Sequence, residues 1–104
     1  MKTLKILFPI LFALVLLTGC KKSKEDMDKT YWEAIAKLEQ NDISGLSMLE
    51  ELGEDGHLLS QQTLAKFYLM EVNYPKAKYW LEKAAAQGDS ESEQALREMQ
   101  SIGY

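Results

Sequence analysis

The sequence predicts an all-α fold, and three observations support this prediction. From about Asp28 onward the chain has a single proline and no run of alternating β-branched residues, while Ala, Leu, Glu, Lys and Gln dominate. Turn-forming residues interrupt this stretch at four places, which leaves five segments of helical length. The stretch also repeats itself every 32 residues, a period typical of solenoids of helix pairs. We therefore expect a short α-α superhelix of about five helices.

The positions of the breaks place each helix. They fall at 41–42, 53–56, 73–75 and 88–89, and the residues between them predict helices over 29–40, 43–53, 57–71, 75–87 and 89–101. Pro75 suits the first turn of the fourth helix, where a missing N–H costs nothing. Asp89 is a good N-cap for the fifth helix. Because the connections are short, consecutive helices should run antiparallel.

The repeat aligns residues of similar character in successive helix pairs. Trp32, Leu64 and Leu96 correspond at this period, as do Asn41 with Asn73, Leu49 with Leu81, and Gly56 with Gly88. Small alanines on one face of the fourth segment would let a neighbouring helix approach closely. The apolar residues at helical spacing predict a buried stripe formed by Leu64, Tyr68, Ala77, Trp80, Leu81, Ala84 and Ala85.

Part of the chain resembles a known repeat family. The residues Lys76-Ala77, Trp80, Lys83-Ala84-Ala85 and Gln87-Gly88 are similar to the second helix of Sel-one-like repeats, a subgroup of the tetratricopeptide-like repeats. In the same family, the start of the following repeat is matched by Gly56-His57, Ser60-Gln61 and Leu64-Ala65. Spacings of a plain tetratricopeptide repeat occur at Leu64-Ala65, Tyr68, Tyr74, Ala77 and Ala84. The resemblance covers about 56–96 and weakens over 28–53, where Gly45 and Leu52 replace expected alanines.

The family resemblance implies a concave binding face formed by the first helix of each pair. Its residues, carried over position by position, are Leu59, Gln62, Lys66, Leu69 and Met70, with Thr30, Ala34 and Lys37 one repeat earlier. Exposed apolar residues here would point to a protein partner. The alternative is that these residues pack as ordinary core. The chain also has more aromatic residues than so small an array can bury, so some should line a surface.

The N-terminal segment has the features of a targeting signal. Two lysines precede an apolar run over 6–17 that is too short to span a bilayer. Leu17-Thr18-Gly19-Cys20 resembles a bacterial lipobox. This resemblance implies cleavage between Gly19 and Cys20, with diacylglycerol on the Cys20 sulfur and an acyl chain on its new amino terminus. We expect a signal peptide at 1–19, a lipidated flexible tether at 20–28 and a repeat domain at 29–104. The alternative is an ordinary secretory signal followed by a free cysteine.

The residues after the lipobox bear on localisation. Lys21, Lys22 and Lys24 would lie next to the lipid, where each gains about 1 kcal/mol at an anionic surface, unless the segment is only a solvated tether. An Asp at position 21 would resemble an inner-membrane retention signal, but the chain has Lys21. We therefore expect an anchor in the outer membrane, facing the periplasm, if the source has two membranes.

Charge and composition exclude several functions. The chain has 12 basic and 16 acidic residues, a net charge of −4, and loss of Lys2 and Lys5 with the signal would make it −6. Such acidity disfavours nucleic-acid binding. One cysteine and one histidine cannot build a structural zinc site or an intramolecular disulfide. The acidic clusters lack the ligand spacing of a calcium loop, so we expect neither a metal nor a cofactor.

The sequence offers little catalytic chemistry. His57 is the only imidazole, and in the resembling family its position is a turn and helix start. We expect a non-catalytic, lipid-anchored adaptor that binds a protein partner in the cell envelope. The alternatives are an immunity protein that neutralises a periplasmic toxin, a small enzyme or an accessory of a cell-wall enzyme that acts on peptidoglycan with Glu50, Glu51 or His57 as acid or base, and a purely structural lipoprotein. The open ends of a short array would also allow a homodimer.

Overall fold

The computed structural model describes residues 22–104 and confirms the all-α prediction. It has five helices in chain order: α1 Lys24–Glu39, α2 Ser44–Glu54, α3 Leu58–Met70, α4 Tyr74–Ala86 and α5 Ser90–Ser101. The expected signal peptide, the lipobox with Gly19 and Cys20, and Lys21 lie outside the described residues. Within residues 22–104, none of the helices combines the length and apolar character needed to cross a membrane.

Helix α1 begins at Lys24, earlier than the expected start at residue 29. The side chain of Ser23 caps it by accepting a hydrogen bond from the Asp26 backbone N–H at 3.2 Å. Glu25 and Asp26 place negative charge in the first turn, where it is stabilised by the helix dipole. Residues 24–28, expected as part of a flexible tether, are therefore helical.

All five helices end in the same kind of turn. The residue after each C-cap has a positive φ, namely Asn41, Gly56, Val72, Gly88 and Gly103. The next backbone N–H bonds back to a carbonyl in the last turn, as Asn73 N does to Tyr68 O at 2.8 Å. Gly56 and Gly88, which are aligned at the 32-residue period, share φ values of 94° and 93°.

The register of the first helix in each pair differs from the 32-residue alignment. The positive-φ residues Asn41, Val72 and Gly103 are 31 residues apart, so Asn41 corresponds to Val72. Asn73 instead caps α4 and accepts from Lys76 N. Trp32 and Leu64 also differ in burial despite their alignment, since Leu64 is fully buried and Trp32 is 63% exposed.

The closest packing is between helices that are consecutive in sequence. Every predicted core residue is buried except Ala85, which is half-buried. Two glycines in α2 set the helix spacing. A Cβ on Gly45 would come within 2.5 Å of the Ala34 carbonyl oxygen, and a Cβ on Gly53 within 2.5 Å of the Trp80 ring. Helix α2 thus packs closely on α1 on one side and on the second hairpin on the other.

Candidate functional site

A cleft of about 560 Å³ opens between α1 and α3, and we call it the first cleft. Its walls are largely apolar and aromatic, and its floor comes from the turns that precede α3 and α5. Trp32 is its most prominent wall residue, and Leu59 faces it with 39% of its surface exposed. The lining residues are Lys24, Met27, Asp28, Trp32, Gly56, His57, Leu58, Leu59, Gln62 and Gln87.

A smaller cavity of about 70 Å³ lies between α3 and α5, and we call it the second cleft. Gln62 lines both clefts, so they adjoin along α3. Asp89 at its rim accepts from the Ser92 hydroxyl at 2.5 Å and the Ser92 backbone N–H at 3.2 Å. These bonds, with smaller effects of Gln62 and Lys66, hold the pKa of Asp89 below its usual value. The carboxylate therefore stays ionised at neutral pH.

The structure brings four of the eight expected groove residues together. Leu59 and Gln62 line the first cleft, and Gln62, Lys66 and Leu69 line the second. These residues form one line along α3, and the second cleft places α5 beside them.

Three of the other expected groove residues lie outside both clefts. Met70 is 83% exposed at the end of α3. Thr30 is half-buried, and its hydroxyl donates to the Asp26 carbonyl at 3.0 Å. Lys37 is exposed and pairs with Asp42 at 3.6 Å.

The prediction that Ala34 belongs to the groove is wrong. Ala34 is 0% exposed, because α2 packs directly over it. Gly45 lies against its backbone carbonyl, and no side chain separates the two helices at that point. Ala34 is therefore a core residue of the first hairpin, where its small size allows the helices to approach.

The floor of the first cleft contains a buried chain of hydrogen bonds. His57 caps α3, and its Nδ1 lies 3.3 Å from the Ser60 backbone N and 2.7 Å from the Ser60 hydroxyl. Its Nε2 lies 2.7 Å from Oδ1 of Asp28 on α1. The expectation that His57 marks a helix start is confirmed.

The Ser60–His57–Asp28 set has the hydrogen-bond order of a hydrolytic triad, but its serine is buried. Ser60 is 0% exposed, so a substrate cannot reach its hydroxyl in this structure. Its backbone N–H also bonds to the same imidazole nitrogen, which is the pattern of a helix cap rather than of an activated nucleophile. The arrangement joins α1 to α3 and orients Asp28 toward the cleft.

A second polar chain supports the same floor. The Gln87 amide nitrogen donates to the Gly56 carbonyl and to the Gln61 side-chain oxygen, both at 2.9 Å. Gln61 is buried and donates in turn to the Gly53 carbonyl at 2.8 Å. The turn before α3 is thereby fixed from both hairpins.

The carboxylates considered as catalytic alternatives lie away from the clefts. Glu50 accepts a hydrogen bond from the Tyr68 hydroxyl at 2.5 Å. Burial and this bond raise the pKa of Tyr68 to about 12. Glu51 is exposed on α2. Within residues 22–104, no three His, Cys, Asp or Glu side chains are grouped so that they could hold a metal ion.

Several cleft residues were not predicted as site residues. Trp32 belonged to the aromatic set of which some were expected on a surface, and that expectation is confirmed. Asp28 and Lys24 fell in the expected tether, so their helical spacing was not considered. The signal that relates them is the spacing of Lys24, Asp28 and Trp32 at successive turns of one helix.

No protein-family model, curated protein or solved structure matches this chain.

Proposed function

We propose that this protein is a lipid-anchored adaptor of the cell envelope that binds a protein partner through the face formed by α1, α3 and α5. The observation that carries the proposal is the pair of adjoining clefts on this face, of about 560 Å³ and 70 Å³. Concave sites lined by apolar and aromatic side chains with a few polar groups are typical binding sites.

The character of the cleft residues supports a protein partner. Trp32 presents a large exposed ring, and tryptophan is enriched among the residues that contribute most to protein interfaces. Leu59 adds exposed apolar surface across the cleft, while Lys66 and Asp89 supply charges farther along the same face. A partner segment that follows α3 would meet apolar contacts first and polar contacts next.

The anchor is the second part of the proposal. The lipobox ending in Cys20 and the charged, apolar leader before it support lipidation and export. Because several acyl chains bind far more firmly than one, the domain would stay on its membrane, and Lys21 favours the outer one. Incorporation of a labelled fatty acid tests this part. We expect label on the native protein and none on Cys20→Ser, whereas label on the variant would contradict lipidation at this residue.

Site-specific crosslinking in the native envelope tests the binding face. A photoreactive amino acid at position 59 or 66 should capture one protein, which mass spectrometry identifies. The matched control places the same group at position 51, which is exposed on α2 and lies outside both clefts. Capture of the same protein from all three positions, or from position 51 alone, would contradict the proposed face.

A further inference from the structure

The carboxylate of Asp28 is held in one orientation at the first cleft. His57 Nδ1 accepts from the Ser60 backbone N–H, so the imidazole proton lies on Nε2 and is donated to Asp28 Oδ1. His57 is 5% exposed, whereas the Asp28 side chain is 45% exposed. The buried imidazole therefore fixes the carboxylate, and the second carboxylate oxygen remains available to a ligand.

Trp32 lies one turn after Asp28 on the same face of α1. Its ring meets Tyr31 edge-on, with centroids 5.0 Å apart and an angle of 81° between the planes. The ring is 63% exposed and lines the cleft. An aromatic face beside a fixed carboxylate attracts a cation both by its quadrupole and by direct charge pairing.

The amides of the cleft supply further acceptors. Gln87 uses its nitrogen for the Gly56 carbonyl and the Gln61 oxygen, so its remaining polar atom is the carbonyl oxygen. Gln62 lines the same cleft from α3. Carboxylate and amide oxygens around an aromatic ring match the several N–H donors and the planar shape of a guanidinium group better than a compact ammonium.

From these contacts we infer that the first cleft binds an arginine side chain of the partner protein. This inference rests on the proposed function, since it assigns the chemistry recognised by the same face. The net charge of −6 without the signal segment complements a basic partner. Lys24 opposes the binding of an arginine, because its positively charged side chain lines the cleft one turn before Asp28. The opposition makes Lys24 a useful test residue.

The experiment titrates the full lipidated protein in detergent micelles with a short capped peptide that carries one arginine between alanines and glycines. The protein is labelled with fluorotryptophan, which yields one signal each for Trp32 and Trp80. Only the Trp32 signal should shift saturably, because Trp80 is 4% exposed in the core. The same peptide with citrulline, which keeps the shape and removes the charge, should bind about tenfold more weakly.

Two variants sharpen the result. Asp28→Asn keeps an acceptor oxygen for His57 while it removes the charge, and we expect about tenfold weaker binding of the arginine peptide. Lys24→Gln removes the opposing cation and should strengthen binding about two- to fivefold. Equal binding of the citrulline peptide, no effect of Asp28→Asn, or weaker binding to Lys24→Gln would each overturn the inference. Tighter binding of a matched glutamate peptide would overturn it as well.

The crosslinking experiment separates this inference from the proposed function. Capture that depends on positions 59 and 66, together with no response to the arginine peptide, would overturn the arginine assignment and leave the adaptor proposal standing. If neither the position-dependent capture nor the response to the arginine peptide is observed, both the adaptor proposal and the arginine assignment are overturned. A partner whose captured peptide places an arginine next to position 59 would support the two together.

Discussion

The first hairpin, α1 with α2, and the second, α3 with α4, end their helices in the same kind of turn. The residues at the contact between the two helices differ. In the first, Gly45 packs against the Ala34 carbonyl. In the second, Ala77 occupies the related place and is 0% exposed. The left-handed residue that ends the first helix is Asn41 in one hairpin and Val72 in the other. The closing turns are therefore alike in the two hairpins, while the helix lengths and the interhelical contacts differ.

The largest expected effect is at Gly45. Its substitution by alanine would place a Cβ within 2.5 Å of a backbone oxygen and 2.9 Å of Leu38 Cγ, so α1 and α2 must separate. We expect Gly45→Ala to lower the free energy of unfolding by about 2 kcal/mol, despite the better helix propensity of alanine. Chemical denaturation measures this loss. Ala77→Gly is the matched change in the second hairpin and should cost about 1.5 kcal/mol, from the lower helix propensity of glycine and the loss of a buried methyl group. Stabilisation by Gly45→Ala would contradict the close contact.

The next-largest effect is expected at the N-cap of α3, and the N-cap of α4 provides the comparison. His57→Ala removes the cap of α3 and its buried bond to Asp28, so we expect a loss of about 2 kcal/mol in unfolding free energy. Asn73→Ala removes only the exposed cap of α4 and should cost about 1 kcal/mol. His57→Asn restores a capping group that cannot reach Asp28, so it should recover part of the loss. Full recovery would show that the bond to Asp28 adds no stability.

Substitution of Val72 by glycine should raise the free energy of unfolding rather than lower it. Its φ of 58° is unfavourable for a β-branched residue, whereas Asn41 tolerates the same conformation at φ 61°. We expect Val72→Gly to raise the unfolding free energy by about 1 kcal/mol and Asn41→Gly to leave it nearly unchanged. Thermal denaturation of the two variants provides the comparison. A destabilised Val72→Gly would mean that the exposed valine side chain makes a contact that outweighs the strain.

The last expected effect is confined to alkaline solution. Burial and the bond to Glu50 raise the pKa of Tyr68 to about 12, above its usual value near 10. A raised folded-state pKa contributes stability that is complete below pH 10 and is lost as the pH rises toward 12. Tyr68→Phe should therefore flatten the decline of stability over this interval. Tyr31→Phe is the control, because its hydroxyl meets the neutral Thr63, and it should leave the decline in place.

The sequence was sufficient for the helices and most of the core, since breaks at Gly56, Asn73 and Gly88 correspond to real turns. It missed the shift of one residue at the end of the first helix, because Asn41 and Asn73 are the same residue type although Asn41 ends α1 and Asn73 caps α4. The burial of Ala34 depends on Gly45 in the next helix, which is information about packing. On the candidate site, the line of residues along α3 was predicted. The Asp28–His57 contact was not, because the two residues lie on different helices and Asp28 was assigned to the tether.

The pattern of close packing between consecutive helices has a consequence for how binding and stability are linked. Most contacts are local in sequence, so we expect rapid folding and a low barrier to opening of the end helices. An occupant of the first cleft would touch α1 and α3 at once, and these helices are not consecutive. Binding would therefore join the two hairpins, and α1, the first helix of residues 22–104, should become the segment most strongly protected from hydrogen exchange by the partner.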